Sequence, residues 1–355
     1  MKKYWISFIS SLLFSVSIVS YLRSIKESDQ LDNIALDSLI NGIETHKEVI
    51  KTAEPKKVLI SNKDIKLRDI FTRININELK LPSVHDRFRQ ALEHQETFIK
   101  NAEEREVGSL NIYPKHLNKV LNAFRKVKSK NDIANLLDAY QLRGEDGDGN
   151  VLFTGYYSPI IPARRKSDAI FKYPVYLAQN GQDDDGMTLA YVRDRQDIRS
   201  MELEGVAYLQ FPEGDRRVVA YNGDSKKVEE ADGEGYASVF TQRDKSRAMG
   251  AAKVPLTTDF TVAVDPKYIP LGSVLLAEIP ILDDNGNLIR TEMRFVLAQD
   301  RGSKIKGTGH VDLYMGEGDA AKERIKDMRK YGRIWLLLPK RDEKDAPKKT
   351  LAQKV

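Results

Sequence analysis

Residues 293–316 read Met293-Arg-Phe-Val-Leu-Ala-Gln-Asp300-Arg-Gly302-Ser-Lys-Ile-Lys-Gly307-Thr-Gly309-His-Val-Asp312-Leu-Tyr314-Met-Gly316. Two apolar, β-prone runs each carry an aspartate, a residue that strands normally avoid. A third stands just upstream, in Thr261-Val-Ala-Val-Asp265-Pro-Lys-Tyr-Ile-Pro270-Leu-Gly272. Three such placements within about fifty residues suggest a site where several strand ends converge. Each has a plainer reading. Asp265 before Pro266 can open a turn. Asp300 can cap a strand end or pair with Lys304 or Lys306. Asp312 is different, because strand alternation sends Val311, Leu313 and Met315 to one side and Asp312 and Tyr314 to the other. On an outer face it would be ordinary; in a groove beside Tyr314 it would be a desolvated acid.

Outward from this stretch, short β-like runs broken by turns fill the chain after Gly144-Glu-Asp-Gly-Asp-Gly149. They are expected at Val151–Tyr157, Ala169–Leu177, Glu204–Phe211, Arg217–Tyr221, Phe260–Val264, Val274–Ile279, Met293–Ala298 and Ile334–Leu338. Asp283-Asp-Asn-Gly286 is a hairpin turn signal. Strands this short and frequent, with one helical patch at Asp319–Arg329, suggest a β-barrel. The N-terminal part differs. Helices are expected over 84–106 and 115–141, the second from Leu117, Val120, Leu121, Phe124 and Val127 on one stripe. Ser129 or Asn131 can restart it through Ile133, Leu136, Leu137 and Tyr140. The fold class is therefore mainly β with a helical N-terminal part.

Composition narrows the chemistry. At 355 residues, 41% of them hydrophobic, the chain can bury one large or two medium cores. A net charge of +5, spread along the chain, lacks the focused basic face of a nucleic-acid binder, and no nucleic-acid partner is expected. The absence of cysteine excludes disulfides, thiolate catalysis and a lipid-modified N-terminal cysteine. Lys2-Lys3 before the uncharged run Tyr4–Leu22 has export order. Two outcomes stay open: cleavage at the weak Ser15-x-Ser17 pattern, or retention as an anchor about 28 Å long.

Several look-alikes fail. Gly302–Thr308 has P-loop glycine spacing without the lysine. Asp146-Gly-Asp148-Gly-Asn150 begins like a calcium loop, but Val151 and Tyr157 stand where glycine and glutamate are needed. The five histidines (46, 85, 94, 116 and 310) show no zinc spacing. Ser158 and Ser303 have no triad context. No metal or other cofactor is expected.

Five ordered blocks carry a resemblance. They are Phe153-Thr-Gly155-Tyr156-Tyr157-Ser-Pro159, Val264-Asp265-Pro-Lys-Tyr-Ile-Pro270-Leu-Gly272, Ala298-Gln-Asp300-Arg-Gly302-Ser-Lys-Ile305-Lys306-Gly307, Val311-Asp312-Leu-Tyr314-Met-Gly316 and Tyr331-Gly-Arg-Ile-Trp-Leu-Leu-Leu-Pro339. Together they resemble the MltA class of lytic murein transglycosylases and its three-aspartate domain, over roughly residues 110–340. The resemblance implies a double-psi β-barrel (61–159 plus 237–340, with the helical N-terminal part) and a second, inserted β domain at 160–236. Residues 1–23 would be a signal peptide or anchor, 24–60 a linker and 341–355 a basic tail.

The same resemblance implies cleavage of the MurNAc–GlcNAc bond of peptidoglycan with 1,6-anhydromuramic acid as product. Asp312 would be the single acid/base, with Asp300 beside it. Gly155, Tyr156, Tyr157, Glu204, Lys306 and Tyr314 would contact the glycan; Asp265, Gly302 and Gly307 would support the site. The protein would be a monomer acting in the periplasm or cell envelope, attached, if at all, through residues 4–22. The chain departs from the family at Glu204-Gly205-Val206-Ala207, where the family carries Gln-Gly-Ser-Gly, and in a near-absent segment between Gly223 and Tyr236. Those departures keep a non-catalytic expansin-like binder open, and a hydrolytic muramidase using Asp312 and Asp300 is a third reading.

Overall fold

The computed structural model describes residues 70–340 apart from 101–104, 108–109, 113, 178–187, 231–232, 244–246 and 284. The apolar segment 4–22, the linker 24–60 and the tail 341–355 lie outside the described residues. Everything described belongs to one compact unit. Among the described residues no helix is long and apolar enough to cross a membrane.

The chain opens with β1 (Phe71–Ile74), α1 (Asp86–Lys100), a small hairpin of β2 (Arg105–Val107) and β3 (Leu110–Ile112), then α2 (Pro114–Lys126), α3 (Lys130–Leu136) and β4 (Leu137–Leu142). Next come β5 (Val151–Ser158), β6 (Ile160–Pro162), β7 (Tyr173–Leu177), β8 (Thr188–Val192), α4 (Arg195–Glu204), β9 (Val206–Gln210), β10 (Arg216–Glu230) and β11 (Gly233–Arg243). The last third holds β12 (Thr261–Ala263), β13 (Val274–Leu282), β14 (Leu288–Asp300), β15 (His310–Glu317), α5 (Gly318–Ile325) and β16 (Lys330–Pro339).

Six strands close on themselves in the order β16-β13-β14-β12-β15-β5, because β5 pairs with both β15 and β16. Two parallel pairs (β5 with β15, β12 with β14) are set among four antiparallel ones, the mixed pattern of a double-psi barrel. Closure leaves no open edge among these six strands, and β4 and β1 extend the sheet from β16. Its interior is packed with Phe153, Val262, Leu275, Val296, Leu313 and Leu336, all essentially inaccessible. A second, six-stranded sheet of order β6-β9-β10-β11-β7-β8 has its own core around Val175, Val192, Met201, Leu209 and Phe240. A third cluster of Tyr208, Val218, Ala248, Leu256 and Tyr314 takes residues from both sheets.

Helices α1 and α2 lie against the barrel because their apolar stripes end in aromatic rings. Phe124 meets Phe88 edge-on at 5.3 Å and Phe295 of β14 at 4.9 Å. A buried amide clip adds direction. Gln95 of α1 donates to the Gly272 carbonyl at 2.5 Å, Gln299 donates to Gln95 at 2.9 Å, and Thr261 donates to Gln299 at 2.6 Å. Gln95, Gln299 and Thr261 are fully buried and mutually satisfied, so the clip holds α1 against β12 and β14 in one arrangement.

Two sequence expectations are corrected and a third is met. The helix expected over 115–141 stops at Lys126. Ser129 restarts it through a reciprocal cap with Asp132, and it ends at Leu136, after which residues 137–142 form β4. Leu137 and Tyr140 fit a helical stripe, but the run is buried on both faces, where periodicity cannot separate helix from strand. Glu204, expected to begin a strand, is the last residue of α4. That helix is capped by Asp194 and terminated by Gly205 at φ 75°. It buries only Met201 along its length, so no apolar stripe announced it. The hairpin at Asp283–Gly286 forms, with the Asp283 carbonyl accepting from Gly286 N–H at 3.0 Å.

Candidate active site

The short strand β12 organises the site. Ala263 pairs with Asp300 of β14 on one side and with Asp312 of β15 on the other, so both aspartates sit at one end of the barrel. Two strand spacings put their backbones on the order of 10 Å apart. Across β15 lies β5, parallel and in register, with Thr154 opposite Asp312 and Tyr156 opposite Tyr314.

Thr154 donates its hydroxyl to Asp312 Oδ1 at 2.9 Å. Burial pushes the Asp312 carboxyl up to about 6; the Thr154 hydrogen bond opposes the shift and the Asp300 charge adds to it. Asp300 is more committed. Its Oδ1 accepts from the Ala251 and Arg301 N–H groups at 2.8 and 2.9 Å, and its Oδ2 accepts from the Tyr156 hydroxyl at 3.0 Å. Burial raises its pKa, while the three hydrogen bonds and the Arg301 charge pull the other way. Its contacts are these, whereas Lys304 and Lys306 are exposed on the loop beyond it.

Asp265 serves the loop rather than the acids. Its Oδ1 accepts from Lys267 N–H, closing a turn, and its Oδ2 accepts from Gly307 N–H at 3.0 Å. The second bond ties β12 to the loop 301–309 that carries Gly302, Lys306 and Gly307. Gly307 has φ 81°, where a side chain would be strained.

The remaining expected residues fall on two faces of β5. Tyr156 faces the aspartates, its ring 5.2 Å from that of Tyr314. Tyr314 is itself only 2% exposed and donates to Ser158 Oγ at 3.0 Å, so it forms the wall beneath the site rather than an open platform. Gly155 and Tyr157 face the other way. A Cβ on Gly155 would lie 2.8 Å from Ile325 of α5, and Tyr157 is buried. The backbone N–H of Tyr157 is nevertheless used, donating to Glu204 Oε2 at 3.2 Å. Burial pushes the Glu204 carboxyl up to about 7, with that hydrogen bond opposing, Asp312 adding and Lys322 opposing. The end of α4 thus carries a third carboxyl into electrostatic reach of Asp312.

Sequence reading passed over Thr154 and His310. His310 Nε2 lies 2.8 Å from Thr154 Oγ1. Thr154 stood inside a quoted motif, yet only the parallel β5–β15 register shows that it faces Asp312. Among the described residues no group of three His, Cys, Asp or Glu side chains is placed to hold a metal ion.

The model of the 3D domain matches residues 260–338, the stretch that carries all three aspartates. Over 253 residues the chain is 31% identical to membrane-bound lytic murein transglycosylase A of Escherichia coli (strain K12), covering 57% of this chain and 69% of that relative. The chain belongs to the membrane-bound lytic murein transglycosylase A family. The family's member from Vibrio cholerae is 29% identical over 254 residues, with the same coverage. Among solved structures, E. coli MltA with bound chitohexaose superposes with a TM-score of 0.61 at 25% identity, covering 80% of this chain and 99% of that one. An Agrobacterium tumefaciens membrane-bound lytic murein transglycosylase, at 18% identity and a TM-score of 0.59, shares the fold.

Proposed function

We propose that this protein is a peptidoglycan lytic transglycosylase in which Asp312 alone serves as acid and then as base. The observation that carries the reading is the Asp312 carboxyl itself, raised to about 6 by burial and by the nearby Asp300 charge. Near that pH a useful fraction holds its proton, as a general acid must. Asp312 gives this proton to the oxygen joining N-acetylmuramic acid to N-acetylglucosamine, and the bond to muramoyl C1 breaks. The muramoyl C6 hydroxyl then closes on C1 and returns its proton to the Asp312 carboxylate. A 1,6-anhydro ring results, and no water is consumed. Ionised Asp300 supplies negative charge where the oxocarbenium-like transition state is positive.

A hydrolytic muramidase would need a second carboxylate to activate water. Asp300 is ill suited, because its two oxygens already accept three hydrogen bonds. Glu204, raised to about 7, is largely protonated at the pH where Asp312 titrates. The bound chitohexaose of the E. coli relative supports a glycan ligand, and membership of a lytic transglycosylase family favours catalysis over the non-catalytic reading. We further propose that the export order of residues 1–22 delivers the chain to the cell envelope, in line with the membrane-bound relatives.

The test is mass spectrometry of soluble products released from purified murein sacculi by the purified protein. Anhydro-muropeptides are expected; reducing-end muropeptides would support hydrolysis instead.

A further inference from the structure

The hydroxyl of Thr154 sits between two groups, 2.9 Å from Asp312 Oδ1 and 2.8 Å from His310 Nε2. A hydroxyl has one proton to give, so these two contacts must run in a chain with a single direction. If Nε2 carries the hydrogen, His310 donates to Thr154 and Thr154 donates to Asp312 Oδ1. If Nε2 is bare, Thr154 donates to His310, and its oxygen invites a proton from Asp312 Oδ1. The two directions differ in which carboxyl oxygen carries the acid's proton.

Both residues are fixed by the sheet. Thr154 is opposite Asp312, and His310 lies two residues before Asp312 on the same face of β15, opposite Leu152. The surroundings of His310 favour the neutral imidazole. Burial, with Arg329 adding, lowers the His310 pKa below its ordinary value. The other ionisable groups bearing on Asp312 are Asp300 and, across the site, Glu204, with Tyr156 beside both aspartates. None of them contacts His310 in a way that would compete for Nε2.

Resting on Asp312 as the acid, we propose that His310 is a positioning residue: as its Nε2–H tautomer it aims the Thr154 hydroxyl at Asp312 Oδ1. The transferable proton is thereby confined to Oδ2, the oxygen with no protein donor among the described residues. A proton on Oδ1 would point into the relay and away from the glycan. Thr154 also offsets part of the burial effect on Asp312. The relay therefore sets both where the proton sits and how readily it leaves.

Two measurements on the full chain test this. The first is ¹⁵N NMR of the histidine side chains, with His310 assigned by comparison with His310→Gln. The expected result is a neutral Nε2–H ring across pH 6–8; an Nδ1–H tautomer there overturns the proposal. The second compares pH–rate profiles of Thr154→Val, Thr154→Ser, His310→Phe and His310→Gln. Thr154→Val and His310→Phe are expected to lower kcat about ten- to a hundredfold with KM little changed. Their alkaline limb moves to higher pH, because a weaker or missing donor to the carboxylate favours the protonated form. Thr154→Ser and His310→Gln, which keep a donor, stay near wild type. Should His310→Phe fail to fold, the Val and Ser pair at Thr154 decides. Wild-type kcat and an unmoved limb in folded Thr154→Val overturn the relay while leaving Asp312 as acid, whereas a fully active Asp312→Asn protein overturns the reading beneath it.

Discussion

Asp300 and Asp312 differ in their hydrogen bonds, and the difference assigns their roles. Burial raises the pKa of both, but Asp300 accepts from two backbone N–H groups and a tyrosine hydroxyl, which favour its charged form, whereas Asp312 has one threonine donor. An anionic Asp300 raises the pKa of its neighbour, so neutralising it must lower that pKa. Asp300→Asn is therefore expected to move the alkaline limb of the pH–rate profile to lower pH and to reduce kcat about tenfold or more. An unmoved limb in a folded variant would give Asp300 a purely structural role. Tyr156→Phe should act in the same direction and less strongly, because it removes one donor that keeps Asp300 ionised. The same pH–rate series reads it. Parts of this site were legible in the residues alone. Alternation in His310–Met315 put Asp312 and Tyr314 on one side of a strand, with Val311 and Leu313 in the barrel core. That Tyr314 and Tyr157 are buried was not legible, since both sit beside residues that face the site.

At the scale of elements, what could not be read was long-range register and short polar helices. Nothing local in Phe153–Pro159 shows that β5 runs parallel to β15, and nothing periodic marks α4. Yet α4 delivers Glu204. Its folded pKa of about 7 lies above the ordinary 4.5. The folded protein thus holds a proton that the unfolded chain releases, and wild-type stability falls as pH rises from about 4.5 to 7. Glu204→Gln keeps an acceptor for Tyr157 N–H and removes this dependence. It is expected to be more stable than wild type at pH 7.5 by up to about 3 kcal/mol, and nearly equal at pH 4.5. Urea denaturation at the two pH values checks it; an equal difference at both would contradict the shift. The amide clip makes a second demand. Gln299→Leu leaves Gln95 and Thr261 with unpaired buried groups and should cost about 2–4 kcal/mol. A Tm within a degree of wild type would show that α1 does not depend on the clip.

On the scale of the whole molecule, the mainly β class and the barrel were anticipated by frequent short strands and turn signals, while closure of six strands was implied only by the family resemblance. Two sheets with separate cores share the cluster of Tyr208, Val218, Ala248, Leu256 and Tyr314. Tyr208 links them further by donating to Glu317 Oε1 at 2.7 Å and accepting from Ala248 N–H at 2.8 Å. The barrel supplies Asp300, Asp312 and Thr154, and the segment inserted between β5 and β12 supplies Glu204. The central claim is that Asp312 alone moves both protons. Its most direct test is product mass after purified sacculi are incubated with wild-type and with Asp312→Asn protein. Wild type should release 1,6-anhydro-muropeptides. Asp312→Asn should stay folded, bind sacculi and lose release by at least ~10²–10⁴-fold, the range of a single general-acid step. Release of anhydro products by Asp312→Asn at more than about a tenth of the wild-type rate, against that expected loss, would contradict the account.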